Sequence, residues 1–146
     1  MLSATSQHAI RGLVHMARVP VGEAILGREL SESAGIPANF LAKIMLMLRK
    51  AGFVDATRGM GGGYRLVKSP EQITLMQVVD LFDGIVAHPG CFLGERHACN
   101  DEQACTAHLG WNVVCEAYYH FMTTTTIADI GVKNGRARRR LHSLSV

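Results

Sequence analysis

A group of cysteine and histidine side chains in the second half of the chain has the residue types that bind a metal. Cys91, Cys99 and Cys105 are separated by seven and five residues, and His108 follows three positions after Cys105. Three thiolates and one imidazole suit either zinc or an iron–sulfur cluster. The gaps are wider than those of structural zinc knuckles, which weakens the zinc interpretation. Free cysteines in a loop are the remaining alternative on spacing alone.

The fourth cysteine is predicted to have a different role. Cys115 lies seven residues beyond His108, or about 10 Å along a helix axis. We therefore expect a buried thiol there and not a further ligand. A nucleophilic role for Cys115 with His120 as its base is disfavoured, because side chains five positions apart point to different sides of a helix. The sequence thus predicts no enzymatic activity.

Polar and basic side chains recur on one side of a predicted helix in the first half of the chain. A short helix over about residues 27–34, the turn residue Gly35 and Pro37 in a first turn precede this helix, which runs to about Lys50. Its predicted apolar side consists of Phe40, Leu41, Ile44, Met45 and Leu48. The other side carries Asn39, Ala42, Lys43, Arg49 and Lys50. Two such helices predict a helix-turn-helix with Asn39 and Lys43 at base edges and Arg49 and Lys50 at phosphates.

A glycine-rich turn between two predicted strands follows this helix pair. Residues 53–57 and 64–68 alternate like strands, and residues 58–63 form the turn between them. A hairpin directly after a helix-turn-helix is the winged-helix arrangement, in which Arg58, Gly61 and Tyr64 would contact DNA. A phosphate-binding loop is disfavoured, because the glycines lie between two strands and no Gly-Lys-Ser/Thr follows. The predicted fold is therefore mostly α with a small β-hairpin wing.

The remaining segments complete the predicted organisation. A helix over residues 5–18 opens a DNA-binding domain of residues 1–83, which ends with a helix capped by Thr74. Residues 84–107 read as a loop that carries cysteines, and residues 105–132 as a long helix and a short terminal one. The long helix repeats apolar residues every four positions, at Leu109, Val113, Ala117 and Phe121. This stripe could pack on its own domain or on a second copy of the chain. Residues 133–146 read as a basic, disordered tail.

Charge is strongly segregated along the 146 residues. Residues 1–70 hold nine Lys or Arg and four acidic residues, whereas residues 71–132 hold one and eight. A basic first half suggests a polyanion as partner. No apolar run is long enough to span a membrane and no signal peptide is visible, so we expect a cytoplasmic protein with reduced cysteines and no membrane partner.

Several motifs together resemble the IscR/NsrR group of winged-helix transcription regulators, the Rrf2 family, over about residues 1–132. The matching segments are Ser6-Gln7-His8-Ala9, Ser33-Ala34-Gly35-Ile36, residues 48–52, residues 58–64, and Cys105-Thr106-Ala107-His108 with Trp111. The resemblance implies a homodimer paired through the long C-terminal helix and a [2Fe–2S] or [4Fe–4S] cluster that controls operator binding. It also implies that Cys91, Cys99 and Cys105 are ligands, with His108 at the position of the histidine in the IscR branch.

The chain departs from the family pattern at two places. Its first cysteine gap is wider than is common, and Ala42 stands where IscR has a glutamate that helps to choose DNA sites. Members similar to NsrR complete the cluster with an N-terminal side chain of the partner subunit. That position corresponds to about Gln7, beside His8, and His97 between two cysteines is a further alternative to His108.

These features predict a DNA-binding transcriptional regulator whose affinity for a roughly palindromic double-stranded operator is controlled by an iron–sulfur cluster. A [2Fe–2S] cluster is favoured over a [4Fe–4S] cluster. The alternative is the same fold without iron, as a thiol- or zinc-dependent regulator.

Overall fold

The computed structural model describes residues 2–20, 22–84 and 104–131. Within these ranges it contains α1 (Ala4–Met16), α2 (Gly27–Ala34), α3 (Ala38–Lys50), β1 (Val54–Thr57), β2 (Gly63–Leu66), a 3₁₀ turn (Pro70–Gln72), α4 (Leu75–Asp83), α5 (His108–Thr124) and α6 (Ile127–Gly131). The predicted fold class, mostly helical with a small hairpin, is confirmed. Cys91, Cys99, His97 and the tail at 133–146 lie outside the described residues.

Local sequence signals set the ends of the helix-turn-helix. α2 ends at Gly35, whose φ of 62° lies in the left-handed region that glycine adopts without strain. Pro37 immediately precedes α3 in an extended conformation. It therefore stands one position before the first turn in which it was expected. Its missing N–H costs nothing there, since the first N–H groups of a helix have no intrahelical partner.

The hairpin is antiparallel, with Val54 paired to Leu66 and Thr57 paired to Gly63. A third segment joins its edge, because Ile25 and Tyr64 exchange backbone N–H···O bonds of 2.8 Å. The residues just before α2 are thereby held against β2. This attachment links the wing to the helix-turn-helix through the main chain as well as through side chains.

One hydrophobic core unites the first four helices and the hairpin. Its fully buried members include Leu13, Leu30, Ile36, Ile44, Met45, Leu48, Val54, Ile73 and Val78. Residues from the C-terminal helices complete it, since Met122 is 1% and Ile127 0% exposed. The N–H of Leu75 donates to the Thr125 carbonyl and that of Ile127 to the Ile73 carbonyl, each at 2.9 Å. The end of α5 is thus bonded to the start of α4.

The long helix differs from its predicted description in two respects. α5 begins at His108 and not at Cys105, because residues 105–108 form a turn in which the His108 N–H donates to the Cys105 carbonyl at 2.9 Å. Its apolar stripe is not part of the chain's own core. Leu109 is 78%, Val113 65% and Phe121 52% exposed. Among the residues that the structure describes, none buries these side chains.

In the described ranges no helix combines the length and the apolar character needed to cross a membrane.

Candidate functional site: the DNA-binding surface and the ligand turn

The outward side of α3 carries the polar and basic residues that the sequence predicts for DNA contact. Asn39, Lys43 and Lys50 are all exposed there. The opposite side is buried and consists of Leu41, Ile44, Met45 and Leu48. Burial of this apolar side holds α3 against the core, so its polar side necessarily faces solvent. The helix therefore presents a groove-sized, cationic ridge of the kind that enters a DNA major groove.

Phe40 lies outside the core, so its predicted place on the apolar side is wrong. Its side chain is 48% exposed, and its ring tilts against the ring of His8 with 6.4 Å between centroids. At 3.6 residues per turn, Phe40 is rotated about a quarter turn from the centre of the buried side. It consequently reaches the N-terminal part of α1 instead of the space beneath α3.

Arg49 lies beside an acidic side chain of the wing. Its Nε is 3.7 Å from Asp55 Oδ1, and Arg65 Nη2 is 3.1 Å from Asp55 Oδ2. The hydrogen bond from the Ala56 N–H, followed by that from Arg65, lowers the pKa of Asp55, so the carboxylate is ionised at neutral pH. Exposed pairs such as these contribute little to stability. Arg49 can therefore exchange Asp55 for a phosphate, and no local sequence pattern predicts its ion pair with Asp55.

The wing tip is a tight turn that projects Arg58 and Met60 into solvent. The Gly62 N–H donates to the Gly59 carbonyl at 3.0 Å, and Gly61 adopts a φ of 73°. A residue with positive φ at the third position of such a turn is normally glycine. Met60 is fully exposed, and Arg58 is exposed at the base of the turn. The tip is thus narrow enough in backbone to approach a minor groove.

The next two glycines are required by close packing of the backbone. A Cβ at Gly62 would lie 2.5 Å from the Thr57 carbonyl oxygen, and one at Gly63 would overlap the Ile25 carbonyl. These glycines therefore let the hairpin close and attach to the segment before α2. Close backbone packing thus explains the presence of Gly62 and Gly63 without a phosphate ligand.

Tyr64 serves the attachment of the wing. Its ring lies 3.2 Å from the position of a Cβ on Gly27, at the start of α2, and its main chain pairs with Ile25. The side chain is half-buried. Its predicted contact with DNA therefore involves only the exposed part of the ring.

Cys105 and His108 are brought together by one turn at the start of α5. Both side chains are half-buried, and the turn is closed by the hydrogen bond from the His108 N–H to the Cys105 carbonyl. The His108 Nε2 lies 3.1 Å from the Asn112 Nδ2, one turn further along the helix. No side chain caps the N-terminus of α5. A thiolate and an imidazole beside the positive end of a helix fit an anionic, thiolate-ligated cluster.

The described residues contain only part of the predicted ligand set. No group of three or more His, Cys, Asp or Glu side chains converges within them. Cys91 and Cys99 are outside these ranges, as is the alternative ligand His97. Of the four predicted ligands, Cys105 and His108 lie within the described residues.

The two N-terminal alternatives to His108 have defined surroundings. Gln7 is exposed and its Nε2 donates to the Leu2 carbonyl at 3.1 Å. His8 is half-buried against Phe40, and its Nδ1 is enclosed with no hydrogen-bond partner in the described structure. Neither contact brings these side chains to the turn at the start of α5 within one chain.

Cys115 is half-buried, so it is more exposed than the buried thiol that was expected. Burial nevertheless raises the pKa of its thiol. A raised pKa keeps the sulfur protonated at neutral pH and disfavours both nucleophilic attack and metal binding.

A helix-turn-helix, a glycine-rich wing and an exposed cationic recognition helix together define a winged-helix DNA-binding protein. The sequence model of the Rrf2 family, described as an iron-dependent transcriptional regulator, matches residues 2–133, and the chain belongs to this family. It is a DNA-binding transcriptional regulator and not an enzyme.

Individual relatives agree with this assignment. The chain is 30% identical over 137 residues to an rrf2-like HTH-type transcriptional regulator of Rhodobacter capsulatus, covering 89% of this chain and 91% of that protein. It is 28% identical over 136 residues to the HTH-type transcriptional regulator NsrR of Bacillus licheniformis, covering 93% and 95%. In fold it is similar to CymR, the global cysteine regulator of B. subtilis, with a TM-score of 0.76, 20% identity and coverage of 92% and 98%.

Proposed function

We propose that this regulator is a homodimer that binds a roughly palindromic operator with an affinity set by an iron–sulfur cluster. Cys91, Cys99, Cys105 and His108 are the proposed ligands, and [2Fe–2S] is the favoured cluster. Residues 1–83 form the proposed DNA-binding part, residues 84–107 bear ligands, and residues 133–146 add a basic tail.

The observation that carries the cluster proposal is the turn joining Cys105 to His108 at the uncapped start of α5. The backbone hydrogen bond from His108 to Cys105 places these two residues in one turn, directly before the helix that leads back to Met122 and the core. When bound, the iron–sulfur cluster would supply a redox-active, oxidant-sensitive centre. Movement of the ligand turn would be transmitted through α5, because the end of that helix is bonded to the start of α4.

Exposed apolar side chains on α5 support dimerisation. Leu109, Val113 and Phe121 of the apolar stripe are each more than half exposed, with fractions of 78%, 65% and 52%. A continuous apolar stripe of this kind normally marks a protein interface. Pairing through a two-fold axis would bury the same stripe of both copies and place two recognition helices on successive major grooves.

We assign the contact with DNA to α3 and the wing. Asn39 and Lys43 would face bases, Lys50 and an exchanged Arg49 would face phosphates, and Arg58 would enter the minor groove. Two cationic elements on one surface are consistent with the basic character of the first half of the chain.

The alternative is a regulator of the same fold that senses through thiols or zinc. The family description names iron, but thiolate and imidazole groups are also zinc ligands. Among proteins of similar fold, CymR is described as a cysteine regulator.

Anaerobic purification decides between these functions. The cluster proposal predicts a brown protein with visible absorption bands and matching amounts of iron and acid-labile sulfide. Operator binding should change when the cluster is removed by a chelator and oxidant and should recover after anaerobic reconstitution. A colourless protein would favour the alternative regulator without iron. Stoichiometric zinc would indicate the zinc-dependent form, and reversible thiol oxidation without a metal would indicate the thiol-sensing form.

A further inference from the structure

The reading side of α3 is not uniformly polar. At 3.6 residues per turn, Asn39, Ala42, Lys43 and Leu46 fall within an arc of about 100°, roughly opposite the buried side of the helix. All four are exposed. They occupy the first three turns, which are the turns that reach base edges when a recognition helix enters the major groove.

Two of these four side chains are apolar, and both remain exposed in the described structure. Leu46 is 52% exposed, although it follows directly after the fully buried Met45. Ala42 is exposed one turn before it. The basic neighbours Lys43 and Lys50 make this face suited to a polyanion and unsuited to a hydrophobic protein partner.

DNA offers one apolar group in its major groove, the 5-methyl group of thymine. Resting on the proposed DNA binding by α3, we propose that Leu46 and Ala42 recognise thymine methyl groups in each operator half-site. Asn39 and Lys43 lie next to this apolar pair, both on the same side of it around the helix. Their amide and ammonium groups are suited to adenine and guanine respectively. The half-site is accordingly read by apolar contact as well as by hydrogen bonds.

Replacement of thymine by uracil tests this directly, because it removes the methyl group and leaves base pairing unchanged. The operator is first selected from random double-stranded DNA with the holoprotein. Each half-site thymine is then replaced singly by deoxyuridine, and binding is measured by fluorescence anisotropy. We expect at least one thymine whose replacement weakens binding about fourfold, the effect of exposing one methyl-sized group.

A double-mutant cycle assigns that effect to a side chain. For Leu46→Ala, the ratio of the affinity for the thymine operator to that for the uracil operator should fall towards one. The variant lacks the side chain that contacts the methyl group, so removal of the methyl group has no further effect. Met47→Ala is the matched control, since Met47 is an apolar residue of the same helix, 38% exposed, about a quarter turn away from the reading face. The affinity ratio of Met47→Ala for the thymine and uracil operators should equal that of the wild type.

The outcomes separate this proposal from the proposed function. Selective operator binding with no thymine sensitive to uracil, or an unchanged ratio in Leu46→Ala, would overturn methyl recognition while leaving the regulator assignment intact. Failure of the wild-type holoprotein to select any sequence would overturn both.

Discussion

Asp83, the last residue of α4, accepts two hydrogen bonds from Ser3, the residue that caps α1. The Ser3 N–H donates to Asp83 Oδ2 at 3.1 Å, and the Ser3 hydroxyl donates to Oδ1. The same hydroxyl oxygen accepts from the Ser6 N–H at 3.1 Å. The start of the first helix is thereby fastened to the point where the chain leaves for the segment that bears Cys91.

This contact predicts a pH-dependent loss of stability in Asp83→Asn. Burial alone would raise the pKa of Asp83, but the hydrogen bonds from Ser3 outweigh it and leave the pKa lowered. The stabilising effect is therefore fully present above the unfolded pKa, near 4, and is lost progressively as the pH falls from there through the lower folded pKa. We expect a loss of about 0.5–1 kcal/mol at pH 7, because the hydrogen bonds are solvent-exposed.

Urea unfolding at pH 7 and at pH 3.5 measures this difference. Asp80→Asn is the matched control, since Asp80 is an exposed aspartate of the same helix. Equal destabilisation by Asp83→Asn at both pH values would show that the carboxylate charge is not what Ser3 recognises.

Arg58→Ala should weaken operator binding by about 1–3 kcal/mol if its guanidinium enters a narrow minor groove. Lys50→Ala should weaken all DNA sequences alike and flatten the dependence of affinity on salt. Binding titrations of both variants at several salt concentrations, on operator and on unrelated DNA, separate the two roles. Unchanged operator affinity in Arg58→Ala would remove the wing from the interface.

The ligand assignment predicts that Cys91→Ala, Cys99→Ala and Cys105→Ala each lose the iron–sulfur cluster. Thiolates are the strong soft ligands of the set, and removal of one opens the coordination sphere. Cys115→Ala is the control and should keep the visible spectrum, since Cys115 lies seven residues beyond His108, about 10 Å along the helix axis. Anaerobic absorption spectra and iron content are the measurements, and a colourless Cys115→Ala would contradict the assignment.

His108→Cys should retain a cluster but lower its reduction potential. A thiolate brings more negative charge to the cluster than a neutral imidazole does, and it disfavours the added electron. Anaerobic spectroelectrochemistry compares the variant with the wild type. If spectrum and potential are both unchanged, the fourth ligand is Gln7, His8 or His97.

Val113→Glu should convert the proposed dimer to a monomer, because two carboxylates would meet across the two-fold axis in an apolar interface. Val67→Glu is the matched control, as Val67 is a similarly exposed valine, 58% against 65%, outside α5. Analytical ultracentrifugation reports the mass. A dimeric Val113→Glu would place the interface elsewhere, whereas a monomer with native circular dichroism supports pairing through α5.

Features that depend on near neighbours in the chain were predictable. α2 occupies the predicted residues because Gly35 ends it with a positive φ. Thr74 caps α4 as predicted, because its hydroxyl accepts a hydrogen bond from the Gln77 N–H. The wing followed from two short strands around a run of glycines. Cys105 and His108 share a turn because only two residues separate them. In each case a few adjacent side chains determine the backbone conformation.

Only the tertiary structure decided how distant parts meet. Periodicity shows that α5 has an apolar stripe at Leu109 and Val113 but not what covers it, since a stripe buried by its own chain or by a second copy has the same pattern. The bond between Ser3 and Asp83 joins residues 80 positions apart, and Arg49 meets Asp55 only once α3 and the wing have packed on a shared core. Such pairings carry no local signal. They are selected by the joint burial of side chains from every element, a property of the whole fold and not of any segment.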